Sequence, residues 1–150
     1  MDLKLDAPGV ERLICQGLVA AGSGGMKVEE LRSGYARIRL PFNAMMIRPG
    51  NVISGPALFT AADSAMYALV LGHLGAQLMA VTSDMNLRFL TKALPGDVIG
   101  EATFLKLGRR LAVMEAKMST SVAPGTIVAH ATGSYALPLV PANGRAKSET

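Results

Sequence analysis

The sequence has few of the residues that mark secreted or nucleic-acid-binding proteins. Its one cysteine, Cys15, allows no disulfide within the chain, which is typical of a reducing compartment. The first six residues are too acidic for a secretory signal. Tryptophan is absent, aromatic residues make up 5% of the chain, and no basic stripe alternates with aromatic side chains. We therefore predict a cytoplasmic protein that does not bind nucleic acid.

The remaining composition is that of one globular domain. Of the 150 residues, half are hydrophobic and 17% are charged. The core must rest on Ala, Val, Leu, Ile and nine Met, and the net charge of +4 suits an anionic ligand. We predict a single domain over 1–150 with its core at 25–138. The polar residues 139–150 are predicted to be a disordered tail.

Hydrophobic periodicity predicts the order of the elements. Apolar residues recur at helical spacing in 8–21, and a long apolar helix is predicted from Pro56 to Gly72, after a loop over 42–55. Alternating patterns and Gly or Pro separators predict strands at 26–32, 34–41, 78–89, 98–107, 111–120 and 127–137.

The predicted central helix is apolar almost all round, so it must be buried on most sides. A strongly curved antiparallel sheet that wraps the helix would bury it, which predicts an α+β fold with a further short N-terminal helix. The apolar run 65–81 also raises the alternative of a membrane span. A buried helix followed by a strand explains this run better, so we predict no membrane association.

With histidine counted as neutral, Asp63 is the one charged side chain between Arg48 and Asp84. Placing a carboxylate in apolar surroundings is strongly unfavourable unless the group is paired or hydrogen-bonded. Burial also makes a carboxylate a stronger base, as general-base catalysis requires. We therefore predict a catalytic Asp63. The alternatives are a solvent-facing side chain or an ion pair with a buried Arg.

The helix start Ser54-Gly55-Pro56 is the second candidate feature. Ser54 suits the N-cap, and the free N–H groups of a helix start attract negative charge, including a carbonyl oxygen that becomes an oxyanion. Gly55 and Asp63 are eight residues apart, or about 12 Å along a helix. A loop or a facing subunit would have to bring the two functions together.

Metal binding is not predicted. His73 and His130 have no metal-ligand spacing, and both are interpreted as structural. Cys15 lies in a helical apolar pattern with no His nearby in sequence, so a structural role is favoured over that of a nucleophile.

Several segments together resemble one family. Residues 54–63, Ser-Gly-Pro-Ala-Leu-Phe-Thr-Ala-Ala-Asp, resemble the His-Gly-Gly-x-x-x-x-x-x-Asp motif of hotdog thioesterases of the phenylacetate-pathway (PaaI-like) type. Segments 81–90, 93–97, 106–112 and 128–132 match further family motifs in order and at family spacing. The likeness covers roughly residues 25–138. It implies a hotdog fold, homodimers that often form dimers of dimers, and active sites at the dimer interface.

The resemblance also implies roles for individual residues. Asp63 would activate water or attack the thioester itself, while the partner's Gly55 would bind the thioester oxygen and Thr82 would help to place the water. Coenzyme A phosphates would meet the basic segment around the 106–112 motif. The predicted substrate-binding residues are Arg48, Asn51, Ser54, Pro56, Lys106, Arg109 and Arg110. For the last three, a solvated hairpin turn is the alternative interpretation.

Departures from the family pattern define the competing functions. Ser54 replaces the motif His, Pro56 replaces the second Gly, and Arg48 stands where relatives often have Asn. The predicted function is acyl-CoA hydrolysis without a cofactor, coenzyme A being part of the substrate. The alternative is a hotdog protein that binds acyl-CoA without cleaving it. A hydratase would need a His beside the carboxylate, and His73 is ten residues past Asp63.

Overall fold

A computed structural model describes residues 2–17, 25–76 and 79–138. Within these residues the α-helices are α1 (Ala7–Gly17) and α2 (Gly55–Leu74), and a short 3-10 helix covers Ala44–Met46. The strands are β1 (Lys27–Arg32), β2 (Tyr35–Leu40), β3 (Ile47–Arg48), β4 (Val52–Ile53), β5 (Val81–Phe89), β6 (Val98–Leu107), β7 (Leu111–Thr120) and β8 (Ala129–Ala136).

Six strands form one antiparallel sheet in the order β1-β2-β6-β7-β8-β5. The sheet curves around α2, which packs mainly against β6, β2 and β7. Thirteen residues of α2 are buried, so the prediction of a helix enclosed on most sides is confirmed. Gly100 on β6 permits the close approach, because a Cβ atom there would lie 2.9 Å from the backbone oxygen of Ala61.

The predicted α+β architecture is confirmed, and the boundaries of β6 and β7 agree with the prediction. Strand β5 was predicted to begin at residue 78, but among the described residues 79 and 80 lie outside it and it begins at Val81. The predicted loop 42–55 contains the 3-10 helix and the small β3–β4 hairpin. Predictions for residues 18–24, including the end of the first helix, and for the tail 139–150 fall outside the described residues.

Helix α2 meets the length and composition of a membrane span. It has 20 residues with a mean hydropathy of 1.3 in its most apolar part. In that part, 72% of the residues are buried inside the protein, as expected for the core helix of a curved sheet.

The buried His73 ties the end of α2 to the β1–β2 turn. Its Nε2 accepts a hydrogen bond from the N–H of Gly34 at 2.9 Å, and its Nδ1 lies 2.9 Å from the carbonyl oxygen of Leu69. The ring also contacts Phe104 edge-on, with centroids 5.1 Å apart. These contacts use both ring nitrogens, which agrees with the structural role predicted for this histidine.

We expect His73→Leu to lower the free energy of unfolding by about 1–3 kcal/mol, because the part-buried N–H of Gly34 would lose its acceptor. Denaturant unfolding followed by circular dichroism measures the change. His130→Leu is the matched control, since His130 lies part-exposed on the sheet 3.6 Å from Glu115. Equal stability of the His73→Leu variant and the unchanged protein would contradict this role.

Candidate active site

The Asp63 carboxylate is held by two hydroxyl groups. Thr82 Oγ1 and the Tyr135 hydroxyl each donate a hydrogen bond to Asp63 Oδ1 at 2.7 Å. The second oxygen, Oδ2, accepts no hydrogen bond from the described residues. One carboxylate oxygen is therefore fixed, while the other is available to a ligand or a water molecule.

Three elements of the fold bring these side chains together. Asp63 lies two turns into α2, and its side chain reaches the start of β5. Thr82 on β5 is the register partner of Tyr135 on β8, so the two hydroxyls stand side by side on neighbouring strands. Asp63 is half-buried and forms no ion pair within the described part of the chain. Neither alternative, a carboxylate turned fully to solvent or one paired with a buried Arg, is found.

Tyr135 is a site residue that the sequence did not reveal. It is 3% exposed, and its ring stacks on Tyr67 with centroids 5.8 Å apart. Burial, and then the negative charge of Asp63, raise the pKa of Tyr135 well above the ordinary value for a tyrosine. The hydroxyl therefore keeps its proton and serves as a permanent donor to the carboxylate.

The start of α2 presents one free donor. Ser54 is the N-cap, and its Oγ accepts the N–H of Ala57 at 3.3 Å, which confirms the predicted cap. Leu58 N–H bonds to the Ser54 carbonyl at 3.2 Å, and Pro56 has no N–H. Among the described residues nothing accepts the N–H of Gly55. In this first turn the proline and the cap thus leave the Gly55 N–H as the available donor.

A cavity of about 380 Å³ lies beside Gly55. Its walls are mostly apolar, and they include the side chains of Val52, Leu58 and Phe89. The Phe89 ring approaches so closely that a Cβ atom on Gly55 would lie 3.1 Å from its Cζ. The cavity is in the size range of small-ligand sites, and Gly55 lines it.

The carboxylate and the cavity lie at opposite ends of one exposed strand. Thr82 beside Asp63 is near the start of β5, and Phe89 beside Gly55 is its last residue. Along α2, Asp63 and Gly55 are about 12 Å apart. Within one chain, the Asp63 carboxylate and the Gly55 N–H are therefore too far apart to act on the same reacting atom. This separation agrees with the distance of about 12 Å expected from the sequence.

The other predicted residues are divided between these two places. Arg48 lines the cavity, and Ser54 and Pro56 form the helix start. Asn51 lies in the β3–β4 turn with a φ of 57° and an exposed side chain. The structure assigns these residues positions, while their contacts with a substrate stay predictions.

The basic segment lies at the Asp63 end of the sheet. Arg109 and Arg110 occupy the β6–β7 turn, which follows Lys106 near the end of β6. Leu111 after this turn and Val81 of β5 are both register partners of Ala136 on β8. Two strand spacings, about 10 Å, therefore separate the β7 start from the β5 start.

Comparison with known proteins identifies the family. The thioesterase superfamily model matches residues 50–123. A crystal structure of a candidate thioesterase from Silicibacter sp. TM1040 is 34% identical, with a TM-score of 0.80 over 92% of this chain and 95% of that one. The chain belongs to the thioesterase superfamily. Its fold, a sheet curved around one long helix, is the hotdog fold.

Other proteins are similar over shorter or more divergent stretches. A candidate esterase of Saccharolobus solfataricus is 30% identical over 92 residues, and the match spans 61% of this chain and 60% of that protein. Zebra fish thioesterase superfamily member 2 shares the fold, with 19% identity and a TM-score of 0.75 over 90% of this chain and all of that one. A mutant of the phenylacetic acid degradation protein PaaI from Thermus thermophilus also shares the fold, with 23% identity, a TM-score of 0.66, and 77% and 96% of the two chains covered.

The superfamily motif region, 50–123, contains Gly55, Asp63 and Thr82 but ends before Tyr135. A sequence signal for Tyr135 exists in hindsight. It is the one aromatic residue of β8, whose other residues are mostly small. A large side chain with a polar tip in such a strand needs a buried partner, and here the partner is Asp63.

Within the described ranges, no three His, Cys, Asp or Glu side chains cluster as a metal site would require.

Proposed function

We propose that this protein hydrolyses acyl-CoA thioesters, with Asp63 as the base or nucleophile. The observation that carries the proposal is the Asp63 carboxylate, which Thr82 and Tyr135 hold through Oδ1 while Oδ2 accepts no hydrogen bond from the described residues. Membership of the thioesterase superfamily supports thioester hydrolysis in general terms. The acyl-CoA specificity and the roles of individual residues are our proposal.

In the proposed reaction, Asp63 Oδ2 takes a proton from water while the water oxygen attacks the thioester carbon. The carbonyl oxygen becomes negative and is stabilised by the free N–H of a Gly55. The carbon–sulfur bond then breaks, the acid is released, and coenzyme A leaves as the thiol after gaining a proton. Alternatively, Oδ2 attacks the carbon, the carbon–sulfur bond breaks, and coenzyme A leaves as the thiol after gaining a proton. Water then opens the resulting anhydride, which releases the acid and restores the Asp63 carboxylate. Heavy-oxygen water tests for the second path, because label in Asp63 arises only when water opens an anhydride at the aspartyl carbonyl.

A second copy of the chain would complete the site. Strand β5 is the last strand of the sheet, pairs with β8 on one side, and has nine mostly exposed residues without proline. Such a long edge, with no other described strand beside it, is a ready surface for pairing with another strand. We therefore propose a homodimer in which the β5 strands of two copies pair.

The symmetry of such a dimer would close the gap of about 12 Å estimated from helix geometry. Suppose that the two β5 strands pair antiparallel about a two-fold axis at Met85, the middle of β5. Thr82, near the start of one strand, would then lie opposite the last residues of the partner's strand. Thr82 contacts Asp63, and Phe89 lies against Gly55. Asp63 would then approach the partner's Gly55, so each dimer would have two shared sites.

The coenzyme A part of the substrate would meet the β6–β7 turn. Arg109 and Arg110 are at the sheet end where Asp63 lies, and guanidinium groups suit phosphate. Lys106 would add a third positive charge.

We further propose that dimers assemble as dimers of dimers and that the reaction uses no cofactor besides the coenzyme A of the substrate.

The direct test is release of free thiol from a panel of straight-chain, branched and aromatic acyl-CoA substrates. Turnover of any of them supports hydrolysis. Ser54, which replaces the motif His, favours the alternative of a binding protein, because its hydroxyl is engaged as a helix cap. Tight binding of acyl-CoA with no turnover of any chain type would establish that alternative in place of hydrolysis.

We expect Tyr135→Phe to lower kcat about 10-fold with little change in KM, because the carboxylate loses one of its two donors. Steady-state kinetics on the best substrate of the panel measures both constants. Tyr35→Phe is the matched control, since the Tyr35 hydroxyl bonds to Glu101 on another part of the sheet. An unchanged kcat for the Tyr135→Phe variant would show that Thr82 alone orients Asp63.

A further inference from the structure

Among the described residues, two cations and no acidic residue line the cavity beside Gly55. Arg48 comes from β3 and Lys92 from the segment between β5 and β6. Neither side chain forms an ion pair or a side-chain hydrogen bond with another described residue. Elsewhere on the sheet, arginines such as Arg37 and Arg39 are paired with Glu29. The positive charge of the cavity is thus uncompensated by the described residues.

The fold holds the two cationic segments against each other. The Ile53 N–H next to the helix start bonds to the Ala93 carbonyl at 2.8 Å, and Ser54 N–H bonds to the Met46 carbonyl at 2.7 Å. These bonds keep the segments of Arg48 and Lys92 beside one cavity, and both side chains are exposed. An anion bound at this cavity would accept charge-assisted hydrogen bonds from both.

We propose that Arg48 and Lys92 bind an anionic oxygen group of the thioester, a carboxylate or phosphate, while the apolar walls hold the adjoining chain. This inference rests on the proposed thioester hydrolysis and adds the class of substrate. The anion has two sources in an acyl-CoA substrate, a carboxylate at the far end of the acyl group or a phosphate of coenzyme A. The cavity volume of about 380 Å³ suits a short acyl chain with a polar end.

The test compares four substrates, hexanoyl and adipoyl thioesters, each on coenzyme A and on N-acetylcysteamine. The two acyl groups have equal carbon number, and adipoyl alone has a terminal carboxylate. N-acetylcysteamine lacks the phosphates of coenzyme A. The variants are Arg48→Gln, Lys92→Gln and their combination. Lys117→Gln is the control, because this exposed lysine of β7 does not line the cavity.

If the acyl carboxylate is bound, the double variant loses about 10-fold to 100-fold in kcat/KM for adipoyl on both carriers and keeps its hexanoyl activity. If a phosphate is bound, the same loss follows coenzyme A and is absent with N-acetylcysteamine. Either pattern supports the proposal and identifies the source. A loss of equal size on all four substrates, or no loss on any, overturns it.

Two further results keep this inference separate from the proposed function. Turnover of all four substrates with no effect of the variants would remove the anion site and leave thioester hydrolysis intact. No turnover of any thioester by the unchanged protein would instead reject hydrolysis. In that case, isothermal titration of adipate and of coenzyme A against the unchanged protein and the double variant tests the anion site directly. Weaker binding of either anion to the double variant supports the site, and equal affinity rejects it.

Discussion

Replacement of Asp63 by Asn is expected to lower kcat by about 100-fold to 10,000-fold, the usual effect of losing a general base. Asn has nearly the same shape, so the Thr82 and Tyr135 hydroxyls can still donate to its amide oxygen. The amide nitrogen would replace the open Oδ2 and cannot take a proton from water. The fold and the KM should therefore change far less than kcat.

The measurement is thiol release under saturating substrate, with circular dichroism to verify folding. Asp6→Asn is the matched control, because the Asp6 side chain accepts the N–H of Gly9 at the start of α1, away from the site. We expect its kcat to stay at the unchanged level. An Asp63→Asn variant with full activity would remove this carboxylate from the mechanism.

Gly55→Val is expected to lower kcat/KM by about 100-fold to 1,000-fold, the range for loss of an oxyanion donor. The new side chain would crowd both the free N–H of Gly55 and the Phe89 ring, which would lie 3.1 Å from the added Cβ. A thioester oxygen could then no longer reach the N–H. Because Phe89 is 57% exposed, its ring can move aside and the helix can still form.

Kinetics on the same substrate measures the loss, and thermal unfolding shows whether the variant is folded. Gly125→Val is a matched control, since an added Cβ at Gly125 meets nothing within 4 Å. It should retain full activity. Were Gly55→Val as active as this control, the helix start could not be the oxyanion site.

The central helix and its sheet were predictable because their patterns are local and strong. The nearly continuous apolar helix requires burial, and the alternating strands β6 and β7 have clear turn residues at their ends. The β3–β4 hairpin was not predictable. Each of its strands has two residues, too few for an alternating pattern. The conformation of the hairpin depends instead on a Pro-Gly turn and on the hydrogen bond from the Ile53 N–H to the Ala93 carbonyl.

The candidate site was predictable in part for the same reason. Asp63 stands out in sequence because it is the one acid in an apolar helix, and Ser54 and Pro56 are familiar signals of a helix start. The partners of Tyr135 and Lys92, by contrast, are identified by the three-dimensional structure. Tyr135 reaches Asp63 across 72 positions of sequence because β8 pairs with β5. Lys92 joins Arg48 because the segment after β5 meets the β3–β4 hairpin at the cavity.

The central claim is that each site combines Asp63 of one chain with the partner's Gly55. The most direct measurement mixes the two inactive variants, Asp63→Asn and Gly55→Val, by co-expression or by joint refolding. In a shared site, random association leaves about one quarter of the sites with both groups intact, so the mixture should recover about one quarter of the unchanged activity. A mixture as inactive as its two components, despite proven formation of mixed oligomers, would contradict the account.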